Sequence, residues 1–232
     1  MDAGTSQAGS VGPPEAVEGL ETAQAAAGPG VGRPFELVLL CTGNRARSPI
    51  AEAFLRDRLA DLPVRVRSLG TLEHVGAPAL REARNAAFRV GLDISAHRSR
   101  TLSGEDLSHA DLVIGFERSH LAAAVVDGHA APERVFTLPE LVELIDATQP
   151  SRATDPIERA HETIARAHAQ RGGELSRAPA ELADPIGRNA AFHRNTVERL
   201  RELTAQVATR LFGVSEPAAS EAESRRGTHR SS

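Results

Sequence analysis

The chain has 232 residues, of which 41% are hydrophobic, and a formal net charge of −4. That is enough length and apolar content for one sizeable core, and the charge has the wrong sign for a nucleic-acid or membrane-surface binder. A single cysteine excludes an internal disulfide framework and fits a reducing compartment, so the expected location is the cytoplasm.

Residues 1–33 are rich in Ala, Gly and Pro, hold no long apolar run and carry no basic residue before Arg33. Neither a signal peptide nor a membrane span has that pattern, and the segment is expected to be a disordered tail. The apolar run Phe35-Glu36-Leu37-Val38-Leu39-Leu40 reads as the first strand. It leads into the loop Cys41-Thr42-Gly43-Asn44-Arg45-Ala46-Arg47-Ser48-Pro49, and a helix-like stretch over 49–61 follows. A strand that ends in a Gly-containing turn and restarts as a helix aims several backbone N–H groups at one point, where the helix N-terminus favours an anion. A thiol placed there is stabilised as the thiolate, its nucleophilic form. Arg47 adds a planar fork that grips two oxygens of a phosphate. The loop therefore reads as a phosphate cradle carrying its own nucleophile. Cys41 as a mere small buried hydrophobe would give no reason for glycine, arginine and helix to gather around it.

Further apolar runs at 64–69, 110–116 and 134–138 alternate with helix-like stretches at 78–90, 117–127 and 139–146. This alternation predicts right-handed βαβ units, an α/β fold with a parallel sheet and helices on both faces. It puts the Cys41 loop at the carboxyl edge of the first strand, where open α/β sheets bind ligands. Residues 147 to about 178 read as an insertion. Its helix begins at Pro156 behind an Asp155 N-cap and is stopped by Gly172-Gly173. His161 and His168 share one face of that helix, but their spacing and the lack of a third ligand point to a solvated charged face, so no metal is expected. The last helix lies between Asn189 and Gly213, with Ala191, Val197, Leu200, Leu203, Val207 and Leu211 at mostly three- and four-residue steps. Residues 214–232 are expected to form a second disordered tail, which leaves 34–213 as the domain.

Cys41 to Pro49, followed by Ile50-Ala51-Glu52-Ala53, resembles the active-site loop of the low-molecular-weight protein tyrosine phosphatases. The resemblance continues in the family's order through Ser68-Leu69-Gly70-Thr71, Gly91 to Arg100, Ala110-Asp111-Leu112-Val113-Ile114, Phe136 to Leu141 and Asp184-Pro185, covering most of 34–213. It implies a four-stranded parallel sheet and a cysteine-dependent phosphatase that hydrolyses protein phosphotyrosine through a phosphocysteine intermediate. The partner implied is a phosphorylated protein; no cofactor, nucleic acid or membrane is expected. Cys41 is then the nucleophile, Arg47 the phosphate fork, and an aspartate in an Asp-Pro loop the proton donor. Of the two such pairs, Asp184-Pro185 lies in a Gly-containing loop just ahead of the final helix, as the family pattern requires. Asp155-Pro156 reads as a helix start, so Asp184 is the choice. Thr42, Gly43, Asn44, Arg45, Ala46 and Ser48 complete the substrate-binding loop. Ser48 is expected to donate to the Cys41 thiolate, and Asn44 to take a left-handed backbone tied to Ser68. His97, Asp111 and His120 are expected to be scaffolding.

Two departures from the family pattern bear on use. Ala46 stands where family loops usually hold a second cysteine, so oxidised Cys41 has no internal partner and its recovery is expected to need external thiol. The missing thiols also argue against the arsenate reductases that share the fold. Ile186 and Gly187 follow the Asp-Pro pair where tyrosine-specific members carry aromatic residues, and the Asp-Pro-x-Gly form resembles members that dephosphorylate protein arginine. Arg45, at the pocket mouth, is not the Thr associated with that specificity and would attract acidic substrates. Phosphotyrosine is placed first and phosphoarginine second. A phosphate-binding scaffold or regulator without turnover is the alternative from another class.

Overall fold

The computed structural model describes residues 32–171 and 180–214. Most of both expected tails and the Gly172-Gly173 stop lie outside the described residues. Strands β1 (Phe35–Cys41), β2 (Val64–Gly70), β3 (Leu112–Gly115) and β4 (Val135–Thr137) form one parallel sheet in the order β2-β1-β3-β4. The chain leaves β1 to one side for β2, then crosses to β3 on the other. That reversal of direction makes the carboxyl end of β1 the topological switch point, and Cys41 is the last residue there.

Among the described residues, six α-helices surround the sheet: α1 (Arg47–Arg58), α2 (Arg81–Arg89), α3 (Arg118–Val126), α4 (Leu138–Ala147), α5 (Pro156–Gln170) and α6 (Ala190–Phe212). Because β1 is buried on both faces, its side chains serve two cores in alternation. Phe35, Leu37 and Leu39 pack with the apolar sides of α1, α2, α4, α5 and α6. Val38 and Leu40 point the other way, into a smaller core with Leu102, Leu107 and Ala124 of α3. The helices on both faces and the four parallel strands are the architecture that the sequence predicts.

Local chemistry sets the helix ends. Thr137 closes a capping box on α4, accepting from the Glu140 N–H at 3.2 Å while its own N–H donates to Glu140 Oε2 at 3.0 Å. Asn189 caps α6 by accepting from the Phe192 N–H at 3.0 Å, and Gly213 ends it with φ +72°, the left-handed conformation that glycine adopts without strain. Asp155 accepts from the N–H groups of Ile157 and Glu158 at 2.9 and 2.8 Å, with Pro156 in the first helical position of α5.

Helix α5 is woven into the main core: Ala160, Thr163, Ile164 and Ala167 are buried, and it packs beside α4 and α6. His161 does not simply face solvent. Its Nε2 lies 3.1 Å from Asp111 Oδ1, and its ring meets Phe35 at 5.2 Å between centroids. Buried Asp111 also accepts two hydrogen bonds from Arg33, at 2.7 and 2.8 Å, and one from the Glu36 N–H at 2.8 Å. Burial alone would raise its carboxyl; the bonds from His161, Arg33 and Glu36 outweigh that and leave it at about 2. Among the described residues no helix is long and apolar enough to cross a membrane, and no three His, Cys, Asp or Glu side chains gather where a metal would sit.

Candidate functional site

The loop between β1 and α1 wraps the Cys41 thiol. No backbone N–H from Gly43 to Ser48 has an acceptor within the described residues. The N-cap of α1 is Ala46, whose side chain accepts nothing, so the first turn is also uncapped. A run of amides in that state, at the positive end of a helix dipole, is matched to an incoming oxyanion.

Behind the thiol is a chain of buried hydrogen bonds. Cys41 Sγ lies 3.0 Å from Ser48 Oγ, and that oxygen accepts from Asn44 Nδ2 at 2.9 Å. With its acceptor side engaged, the Ser48 hydroxyl has its own proton to donate to the sulfur, which favours the thiolate. Asn44 gives its second amide proton to Ser68 Oγ at 2.7 Å, and Ser68 in turn donates to Glu52 Oε2 at 2.6 Å. Asn44 Oδ1 accepts from the Arg100 N–H at 2.8 Å, fixing which way the amide points, and the Asn44 carbonyl receives His97 Nε2 at 2.7 Å. Asn44 sits at φ +49°, a conformation that Asn tolerates better than other non-glycine residues. Gly70, opposite Cys41 across the sheet, makes room for this loop. A Cβ there would meet the Asn44 nitrogen and the Thr42 oxygen at 3.0 Å.

In front, Arg47 gathers what the sequence scatters. Its side chain is 1% exposed, with the guanidinium 5.8 Å from the Phe116 ring centre. Nη2 donates to Asp184 Oδ2 at 2.7 Å and more weakly to Thr42 Oγ1 at 3.3 Å; Nη1 donates to Glu117 and, at 2.9 Å, to the Leu182 carbonyl. The Asp184 loop is shaped by its own carboxylate, which accepts from the Ile186 N–H at 3.0 Å, followed by Gly187 at φ +73°. Asp184 and not Asp155 is thus the aspartate that meets Arg47.

His120 completes this side. Its Nδ1 accepts from the Phe116 and Glu117 N–H groups at 3.2 and 3.1 Å, which assigns the proton to Nε2, 3.0 Å from Thr42 Oγ1. Burial first, and the Arg47 charge second, lower its pKa to about 4, against the pull of Glu117, Asp184 and Glu181. His120 is therefore a neutral donor to the loop at ordinary pH. Gly115 lets it come so close, since a Cβ there would meet His120 Cβ at 2.9 Å.

Arg45 takes a different course from the sequence expectation. Its Nε donates to the Pro78 carbonyl at 2.9 Å and its own carbonyl accepts from the Leu80 N–H at 2.8 Å, so it straps the loop to the segment before α2. Two exposed aliphatic side chains adjoin the site: Ile186 after the Asp-Pro pair and Leu72, whose N–H donates to the Thr42 carbonyl at 2.9 Å.

The sequence reading names Cys41, Thr42, Asn44, Arg47, Ser48, Ser68 and Asp184, and the fold brings them together. It misses Glu117, the Leu182 carbonyl, the part played by His120, and Glu52. One signal was available for Glu117 and His120: both closely follow a strand adjacent to the first, at the carboxyl edge.

The family model described as "Low molecular weight phosphotyrosine protein phosphatase" matches residues 36–177. The chain is 30% identical over 142 residues to the low molecular weight protein-tyrosine-phosphatase Etp of Escherichia coli K12, covering 61% of this chain and 95% of that one. It is 26% identical over 179 residues to the protein-arginine-phosphatase of Bacillus subtilis, covering 76% and 97%. A solved structure of the YwlE arginine phosphatase, a mutant with a phosphorylated active-site serine, superposes with TM-score 0.57 at 25% identity, over 76% of this chain and 95% of that one.

Proposed function

Because the chain belongs to the low molecular weight phosphotyrosine protein phosphatase family, we propose that Cys41 is the nucleophile of a protein phosphatase working through a phosphocysteine. The observation that carries this reading is Arg47, one guanidinium joining the thiol loop to Asp184. The Cys41 thiolate attacks phosphorus in line as the bond to the leaving oxygen breaks. The unpaired loop amides and the Arg47 fork bind the equatorial oxygens, where charge spreads in the transition state. In doing so the phosphate takes over the Nη2–H that Arg47 gives to Asp184. An Asp184 carboxyl released from that bond is free to carry the proton that goes to the leaving oxygen. Ionised again, it takes a proton from water as the water oxygen bonds to phosphorus; the S–P bond breaks, returning the thiolate and inorganic phosphate. Thr42, Gly43, Asn44, Arg45, Ala46 and Ser48 form the cradle, with Ser68 holding Asn44 from behind.

The substrate is a phosphorylated protein, with phosphotyrosine as the first reading. Phosphoarginine is the second, favoured by Ile186 in place of an aromatic clamp and by similarity to a protein-arginine-phosphatase. The domain is taken as 34–213. A cytoplasmic location fits a lone thiol that has to stay reduced.

Hydrolysis of para-nitrophenyl phosphate between pH 5 and 8 tests the reading. Wild type is expected to turn over and Cys41→Ser to be inactive. No turnover by a folded, reduced wild type would overturn it in favour of a phosphate-binding scaffold. Matched phosphotyrosine and phosphoarginine peptides then rank the two substrates.

A further inference from the structure

Beside the edge strand β2 lies a second basic surface that shares no residue with the Cys41 loop. A cavity of about 530 Å³ is walled by Arg56 of α1, Arg65 and Arg67 of β2, and Arg98 and Arg100 of the segment after α2. Glu52 is the one carboxylate in that wall. The volume falls in the range of small-molecule sites, about 300–1,000 Å³.

The charges in it do not balance. Arg67 is neutralised by Glu36 and Glu105, each at 2.6 Å. Arg56 and Arg100 share Glu52 at 3.4 and 3.6 Å, longer contacts to a carboxylate whose Oε2 already accepts from Ser68. Arg65 and Arg98 form no ion pair among the described residues. Arg98 is held instead by two neutral acceptors, the Ser95 and His97 carbonyls at 3.2 and 2.8 Å. Even with the carboxylates on Arg67 counted, two positive charges are left over in a concave wall of a chain whose net charge is −4. Like charges held together in a cleft focus a positive potential that an anion relieves. Guanidinium forks are the side chains best matched to phosphate oxygens. The two without a carboxylate come from different segments, β2 and the loop after α2, so one anionic group does not serve both as well as two would.

We propose that this cavity is a binding site for a small polyanion with at least two phosphate groups, an inorganic polyphosphate or a nucleoside polyphosphate, separate from the phosphate that enters the Cys41 loop. Its wall borders the buried bonds behind the thiol. Arg100 donates its N–H to Asn44, His97 bonds the Asn44 carbonyl, and Glu52 reaches Asn44 through Ser68. The site is argued from charge and shape alone and stands whether or not the phosphatase reading does.

Calorimetric titration with inorganic tripolyphosphate, at 0.15 M NaCl, tests it. The full chain carrying Arg47→Ala, with vanadate added to fill what the loop amides still bind, is expected to bind one tripolyphosphate. Adding Arg65→Ala and Arg98→Ala is expected to weaken that binding about tenfold per guanidinium, about a hundredfold together. Arg65→Ala/Arg98→Ala alone is expected to leave para-nitrophenyl phosphate turnover unchanged. If Arg47→Ala does not fold, wild type with its loop saturated by vanadate serves in its place. Loss of all tripolyphosphate binding once the loop is disabled would overturn the proposal, as would equal affinity with and without Arg65 and Arg98. Tighter binding of a poly-glutamate peptide than of tripolyphosphate would also overturn it, in favour of an acidic protein partner. A nucleoside triphosphate binding more tightly than tripolyphosphate would support it and name the nucleotide as the source of the phosphates.

Discussion

The two sides of the Cys41 loop are built on opposite principles. Behind the thiol, Asn44, Ser48 and Ser68 are fully buried, and Glu52 is 7% exposed; each donor and acceptor between them has a near-ideal partner. In front, Arg47 is as deeply buried, yet its two carboxylates, Glu117 and Asp184, are 28% and 31% exposed. The rear is a closed set of buried bonds, neutral except for the Glu52 carboxylate at its end, and every partner in it belongs to the protein, which gives it the rigidity that preorganised groups need. The front turns on two ion pairs, to Glu117 and Asp184, and under the proposed function a phosphate dianion would displace the one to Asp184 by offering the same guanidinium more charge. A site that has to hold one geometry and also swap partners does both by dividing the tasks across the loop.

The sharpest way to break the front is Arg47→Lys. The charge remains and the fork does not, so a bidentate grip on phosphate cannot be kept together with the bonds to Glu117 and the Leu182 carbonyl. The expected loss in kcat for para-nitrophenyl phosphate is about 10³-fold, at the upper end for one oxyanion donor. A loss under tenfold would show that the loop amides suffice. Next comes Asp184→Ala, expected to cut turnover of a poor leaving group by about 10²–10³ and of a good one far less. Asp155→Ala, which removes only the α5 cap, is expected to cost about 1 kcal/mol of stability and leave kcat in place. Equal kinetic losses in the two variants would remove Asp184 from its role.

That contrast also marks what could be read from the chain. Part of the rear was legible because its chemistry is local: Cys41, Asn44 and Ser48 lie within eight residues, whereas the tie to Ser68 came from the family resemblance and Glu52 was missed. Asp184 was legible through the family resemblance, which puts the Asp-Pro loop just ahead of the last helix; a proline follows both Asp155 and Asp184, so the dipeptide alone does not choose between them. The front was mostly not. Glu117 and the Leu182 carbonyl stand 70 and 135 residues from Arg47, and only the crossing from β2 over β1 to β3 brings the first of them there. Arg45 looked like a rim charge because nothing in its neighbours announces the Pro78 carbonyl. The burial of α5 was missed for another reason: Ala160, Thr163, Ile164 and Ala167 do recur on one face, but they are small, and the many charged residues around them drew the reading to a solvated face.

The rear breaks at Asn44. Asn44→Ala removes the bonds to Ser48 and Ser68 and puts a residue poorly suited to it at φ +49°. Together these are expected to cost about 3 kcal/mol of unfolding stability, with roughly half from the left-handed backbone. Asn44→Gly separates the two contributions, since glycine takes the backbone without strain and still lacks the amide. If the two variants are equally unstable in urea, the backbone is not the source of the loss. If Asn44→Gly keeps wild-type kcat, the side-chain bonds do not set the thiol.

His120 offers the finest probe of the front, through pH. In the folded chain its pKa is near 4, against about 6.5 in an unfolded one. Between those values the unfolded state binds a proton that the native state refuses, so stability falls as the pH drops from 6.5 toward 4 and is unaffected by this group above that window. His97, lowered in the same direction by burial, adds to the slope. His120→Gln keeps a donor for Thr42 but never ionises. It is expected to be less stable than wild type at pH 7, with the gap closing by about 3 kcal/mol as the pH falls to 4. Urea midpoints at half-unit pH steps read this directly. A gap that stays constant would mean that His120 takes up its proton at the same pH in the folded and the unfolded chain, so that burial and Arg47 do not hold it neutral.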